Sequence, residues 1–284
     1  MKIARVIRRR RRPRDVAALE RLLELYRDGE YEEVEARARA IEARAGRLRK
    51  RAWRLAVGWG ARSLATAAAC AQGRGTRVLA ELESLTTELE GMTGSGRAML
   101  LMVRSNRMLV LNSQRRYAEA EAEGLDILRG LTRIKHLASV SHIELCVLDN
   151  LVDALCGQER HEEAEAVARG NLPRAEGGTL AALHSGLVIS LNGQGRYQEA
   201  LTEARRFVPP RDRSLSGRLG MGTAVALRGL GRRSEAEAAA REALEDCERS
   251  LYPDHPRIRE ARELLARITA DDPPAPPTEE AARG

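Results

Sequence analysis

The chain has 284 residues, 43% of them hydrophobic but only 3% aromatic, and a formal net charge of +7. Residues 1–14 hold eight cations and no acid. Subtracting eight from +7 leaves residues 15–284 at −1, which excludes attraction of nucleic acid by the whole surface. The apolar fraction is mostly Ala and Leu, which suits helix-on-helix packing and argues against a β-sheet core.

The basic start contains five consecutive arginines, Arg8, Arg9, Arg10, Arg11 and Arg12. Such a run can contact phosphates of a nucleic acid, anionic lipid head groups or an acidic protein surface, or serve solubility alone, and it has no interleaved aromatics to stack bases. Pro13, Arg14 and Asp15 follow it instead of an apolar run, so a secretory signal is not expected. The longest weakly charged stretch, Ala52 to Gln72, carries Arg54, Arg62, Gly58 and Gly60 and would make a poor membrane span. A cytoplasmic location is the expectation.

From residue 15 onward one phrase recurs: an apolar run, a turn with Gly, an aromatic or its substitute, then Glu-Ala. Its clearest copy is Leu187 to Ala200, with Gly195, Tyr197, Glu199 and Ala200. Others run through Leu25, Gly29, Tyr31 and Glu33; Leu111, Tyr117, Glu119 and Ala120; Leu155, His161, Glu163 and Ala164; and Leu227, Gly231, Arg233, Glu235 and Ala236. A degraded copy sits at Gln72, Gly73, Arg74, Gly75 and Val78. The tyrosine-like positions Tyr31, Gly75, Tyr117, His161, Tyr197 and Arg233 are spaced by 44, 42, 44, 36 and 36 residues. The Gly ends one helix and turns the chain back, the next helix packs antiparallel, and its small Ala lets the two axes approach. Breaks between hairpins fall at Gly91 to Gly96, Pro173 to Gly178, Pro209 to Gly217 and Tyr252 to Pro256.

This pattern resembles the tetratricopeptide repeat family, and the 42 to 44 spacing is similar to the long repeats of kinesin light chain and related bacterial proteins. The link Tyr252-Pro253-Asp254-His255-Pro256 is similar to that family's link after the second helix. Arginine is used almost to the exclusion of lysine, with Lys2, Lys50 and Lys135 the only lysines, as in a high-GC, actinobacterial-type coding sequence. The resemblance implies an all-α, right-handed superhelical solenoid of about six antiparallel helix hairpins over residues 15–270. Arg257 to Thr269 is expected to cap it with one more amphipathic helix. Residues 1–14 are expected to form a flexible basic arm, and 271–284 a disordered Pro-rich tail.

No motif of catalysis emerges: there is no P-loop, H-E-x-x-H, G-x-S-x-G or Rossmann fingerprint. The stretch from Gly91 to Gly96 lacks the Lys-Ser/Thr of a phosphate loop and reads as a linker. Cys70, Cys146, Cys156 and Cys247 are far apart and read as small buried residues. The five histidines fall in separate hairpins or turns, so neither a metal nor a cofactor is expected, and the chain is read as a non-enzyme.

Stacked hairpins form a superhelix whose concave side is lined by the first helix of each repeat. In the family, an Asn on that face often bonds the backbone of an extended peptide. The resemblance puts Asn106 and Asn150 there, eleven residues before Tyr117 and His161. The same face is expected to carry Ser105, Leu109, Asn112, Asp149, Asp153, Cys156, Ile189 and Asn192. The Lys and Arg of the family's two-carboxylate clamp are absent, so Asp149 and Asp153 point to a partner segment with a basic residue opposite them. The expected function is therefore a scaffold that holds a protein or peptide. The alternative is a regulatory or sensor repeat protein whose arm contacts nucleic acid, and that arm would be the sole nucleic-acid contact. The partner and the oligomeric state are not specified by the residues.

Overall fold

A computed structural model describes residues 14–45, 51–134, 140–207 and 213–270. The expected arm, apart from Arg14, and the expected tail from residue 271 lie outside the described residues. The described residues form thirteen α-helices and no strand. They pair as α1 (Arg14–Arg27) with α2 (Tyr31–Ala45), α3 (Arg51–Ala71) with α4 (Gly75–Leu89), and α5 (Ser95–Ser113) with α6 (Tyr117–Leu131). The series continues as α7 (Val140–Gly157) with α8 (His161–Asn171), α9 (Gly177–Gly193) with α10 (Tyr197–Arg206), and α11 (Arg218–Gly229) with α12 (Arg233–Ser250). The last helix, α13 (Pro256–Ala270), buries Ile258, Ala261, Leu264 and Ile268 against the sixth hairpin. The fold is an all-α solenoid of six hairpins and a closing helix.

The turn inside each hairpin follows from its hydrogen bonds. The Arg196 N–H donates to the Leu191 carbonyl at 3.0 Å and the Gly195 N–H to the Asn192 carbonyl at 3.0 Å, the two bonds of a Schellman helix end. The residue between must be left-handed, and Gly195 has φ +73°. Arg115 and Glu159 hold the same place in the third and fourth hairpins with φ of 60° and 61°, where a Cβ crowds the backbone. The second helix then brings Ala120, Ala164, Ala200 and Ala236 to complete burial against the first, as their size allows.

Neighbouring hairpins are keyed by a ring and a glycine. Tyr117 lies on Gly157, His161 on Gly193 and Tyr197 on Gly229, so close that a Cβ on any of these glycines would overlap the ring. Where the ring is replaced by Gly75, the facing position is Ser113 instead of Gly, and Val110 covers Gly75. This exchange lets the degraded copy fold as a regular hairpin, with α4 running 15 residues and burying Val78, Leu82, Leu85 and Leu89.

The turn and the key can be tested separately by urea denaturation. Glu159→Gly should raise stability by about 0.5–1 kcal/mol by releasing the left-handed strain. Gly193→Ala should lower it by about 1–3 kcal/mol, because the His161 ring must leave its seat.

Candidate partner-binding face

A polar seam runs beside the keyed rings. Three residues before four of the six ring positions stands Gln72, Gln114, Gln158 or Gln194, and one before each of these four stands an arginine. Gln158 donates to Glu121 of the preceding hairpin at 2.8 Å, and Arg160 bonds both Glu121 and its own Glu163 at 2.7 Å. Gln194 and Arg196 treat Glu165 in the same way, and Gln72 and Arg74 treat Glu35. The Gln158 and Arg160 bonds hold the Glu121 carboxyl below the usual carboxylate range. Burial works against Glu165, yet Arg169, Gln194 and Arg196 outweigh it and its carboxyl is lowered too. Leu79 and Leu201 stand where the accepting Glu should be, so among the described residues this clasp is missing between hairpins two and three and between five and six. The signal is present in the sequence as Gln-x-Arg recurring 29 to 39 residues after a Glu, a separation that spans two hairpins.

The first helices carry the residues expected to meet a partner. Asn150 is buried and its amide donates to the Ser105 carbonyl at 3.2 Å, tying α7 to α5. Asn112 donates to the Asn150 carbonyl at 2.8 Å, and Asn192 donates to the Gly222 carbonyl at 2.8 Å. Ser105 is itself buried. The Asn150, Asn112 and Asn192 amide nitrogens therefore already donate to the backbone of the next or preceding first helix, with Ser105 accepting from Asn150. Asn106 is half-buried with its amide nitrogen enclosed and unpartnered, and Leu109 is exposed.

The acidic pair has a partner inside the chain. Arg218 of α11 reaches past α9 to pair with Asp153 of α7. Asp149 is half-buried, and its Oδ1 is enclosed without a hydrogen bond. Burial pushes the Asp149 carboxyl well above the usual carboxylate range, Arg218 pulls it back, and the Asp153 charge adds to the rise. For Arg218, burial alone would lower the pKa, but Asp153 and Asp149 reverse this and hold it raised. Arg257 is lowered by burial and by the neighbouring Arg218, and it donates to the Ser214 carbonyl at 2.6 Å. Burial also pushes the Cys146 and Cys156 thiols up, which makes both poor nucleophiles.

The last links of the array touch its first turns. Arg213 donates to the Gly29 carbonyl at 3.1 Å and to the Ser250 carbonyl at 3.0 Å, and it meets Glu32 at 3.4 Å. Arg74 stacks over Tyr252, 5.2 Å from the ring centroid, and Gly73 lies against His255 and Pro256. The solenoid thus completes a turn and closes on its own edge. Arg8, Arg9, Arg10, Arg11 and Arg12 lie outside the described residues. Among the described residues no group of three His, Cys, Asp or Glu side chains could hold a metal ion, and no helix is long and apolar enough to cross a membrane.

The two kinds of carboxylate set opposite pH dependences. Glu121 and Glu165, lowered in the fold, contribute stability that is present above the unfolded carboxylate range and is lost as pH falls. Asp149, raised in the fold, costs stability as pH rises from that range through its folded value. Asp149→Asn should therefore gain at least about 1 kcal/mol over wild type at pH 8, with most of the gain gone at pH 4, in paired urea titrations.

Comparison with known proteins adds one finding. No curated protein and no solved structure matches the chain. Residues 224–257, which span the end of α11, its turn, α12 and the following link, match the tetratricopeptide repeat family model. That match covers one hairpin and supports the tetratricopeptide repeat family; the left-handed turn recurs in all six hairpins, and the ring-on-glycine key and the clasp each hold at three of the five junctions.

Proposed function

We propose that the chain is a non-catalytic scaffold that takes an extended protein segment bearing an arginine or lysine along the inner face of its first helices. The observation that carries this reading is the carboxylate pair Asp149 and Asp153, one turn apart on α7, with the Asp149 Oδ1 enclosed and unpartnered. A desolvated carboxylate oxygen without a hydrogen bond favours a cationic donor brought to it over a neutral ligand. The half-buried Asn106 amide, one helix away on α5, offers a donor for a peptide carbonyl, and Leu109 offers an exposed apolar contact. The repeat family supports protein binding as the general role. On this reading the long early repeats are of the kinesin-light-chain type, the source is a high-GC bacterium, and the protein works in the cytoplasm.

The test is a peptide array in which lysine- and arginine-bearing sequences compete with neutral and acidic ones of the same length. Basic peptides should be selected, and Asp149→Asn with Asp153→Asn should weaken them at least about tenfold, the loss of one charge-assisted contact. Selection that ignores charge, or affinity unchanged in the double variant, would sink the proposal.

A further inference from the structure

The inner acidic face is already neutralised from within. Arg218 pairs with Asp153, Arg257 lies within electrostatic reach of both carboxylates, and both arginines belong to the last turns of the array. The same C-terminal segment carries Arg213, which holds the Gly29 carbonyl and Glu32 of the first hairpin. On the other side of that contact Arg74 stacks on Tyr252, and Tyr31, Gln72, Ser250 and Leu251 line the small space between. One segment therefore both closes the ring and fills the acid pair. The junction between hairpins two and three is joined by a shared apolar core without the polar clasp. It lacks the accepting Glu, its ring is Gly75, and a groove of about 430 Å³ lined by Glu90, Arg97, Arg104 and Glu123 runs along it.

We infer that the array is autoinhibited, with Arg213 latching the closed turn and Arg218 standing in the place of a partner's cation, so that a basic segment reaches Asp149 and Asp153 only when the latch opens. This rests on the reading of the acid pair as the partner's site. The charged and titratable groups facing it are Arg218 and Arg257 together with Cys146 and Cys156 on its own helix. Arg27 of α1 acts electrostatically on His142, at the start of the same helix. Displacing Arg218 exchanges one guanidinium for another, so the net preference is set by what the latch contributes.

Removing Arg218 directly could leave two buried acids and fail to fold, so the informative variant is Arg213→Ala, which alters a half-exposed side chain and leaves the acid pair intact. Hydrogen exchange on the full chain should accelerate about tenfold over residues 28–32, 72–76 and 250–256, while hairpins three to five stay protected. A synthetic peptide of alternating arginine and alanine, followed by fluorescence anisotropy, should bind Arg213→Ala about tenfold more tightly than wild type. Adding Asp149→Asn and Asp153→Asn should abolish that gain. Unchanged exchange at those segments overturns the latch, even if the peptide binds and needs the two acids. Faster exchange with no gain in peptide affinity overturns the self-occupancy and, with it, the acid pair as the partner's site.

Discussion

A pair of helices cannot bury its own apolar face, so every hairpin here depends on the seat its neighbour provides. At three of the five junctions that seat is a glycine under a ring. Tyr117 on Gly157, His161 on Gly193 and Tyr197 on Gly229 set the distance between hairpins, and the Gln and Arg that precede the ring reach back to a Glu and set the angle. The two devices lie within a few residues of the same turn. Fixing the turn by a left-handed residue therefore fixes the packing of the next hairpin as well.

Repeating one rotation six times brings the array round on itself, and this closure changes the meaning of its inner face. In an open groove two carboxylates a turn apart would wait in solvent for a cation. Here burial raises Asp149, and Arg218 from two hairpins away answers Asp153. The energetic tension is local: an ion pair is formed, and one carboxylate oxygen beside it stays unsatisfied. On the proposed function, a partner's added positive charge would relieve this tension, a cost the fold now carries at Asp149.

The hairpins were legible because Gly, ring and Glu-Ala recur at fixed offsets, and each offset has a local cause. The strained turns were half legible: Gly195 announces a left-handed residue, whereas Arg115 and Glu159 occupy that place without a compositional sign. The copy around Gly75 looked degraded because its ring is missing, and its compensation at Ser113 and Val110 lies in the next hairpin. The inner face was the least legible. Asn112, Asn150 and Asn192 have the chemistry to hold a peptide backbone, but the pitch of the stack places a neighbouring helix within their reach first. The Arg218 pairing spans 65 residues and depends on the accumulated rotation of two hairpins, which no single-repeat alignment encodes.

Closure of the turn is the claim on which the site and its regulation both depend. It is tested most directly by pulsed electron paramagnetic resonance between spin labels at Glu30 and Asp254, two exposed positions on the facing edges, in a cysteine-free background. The closed solenoid predicts a single short, narrow distance distribution. A long and broad distribution would contradict it and return the inner face to an open groove.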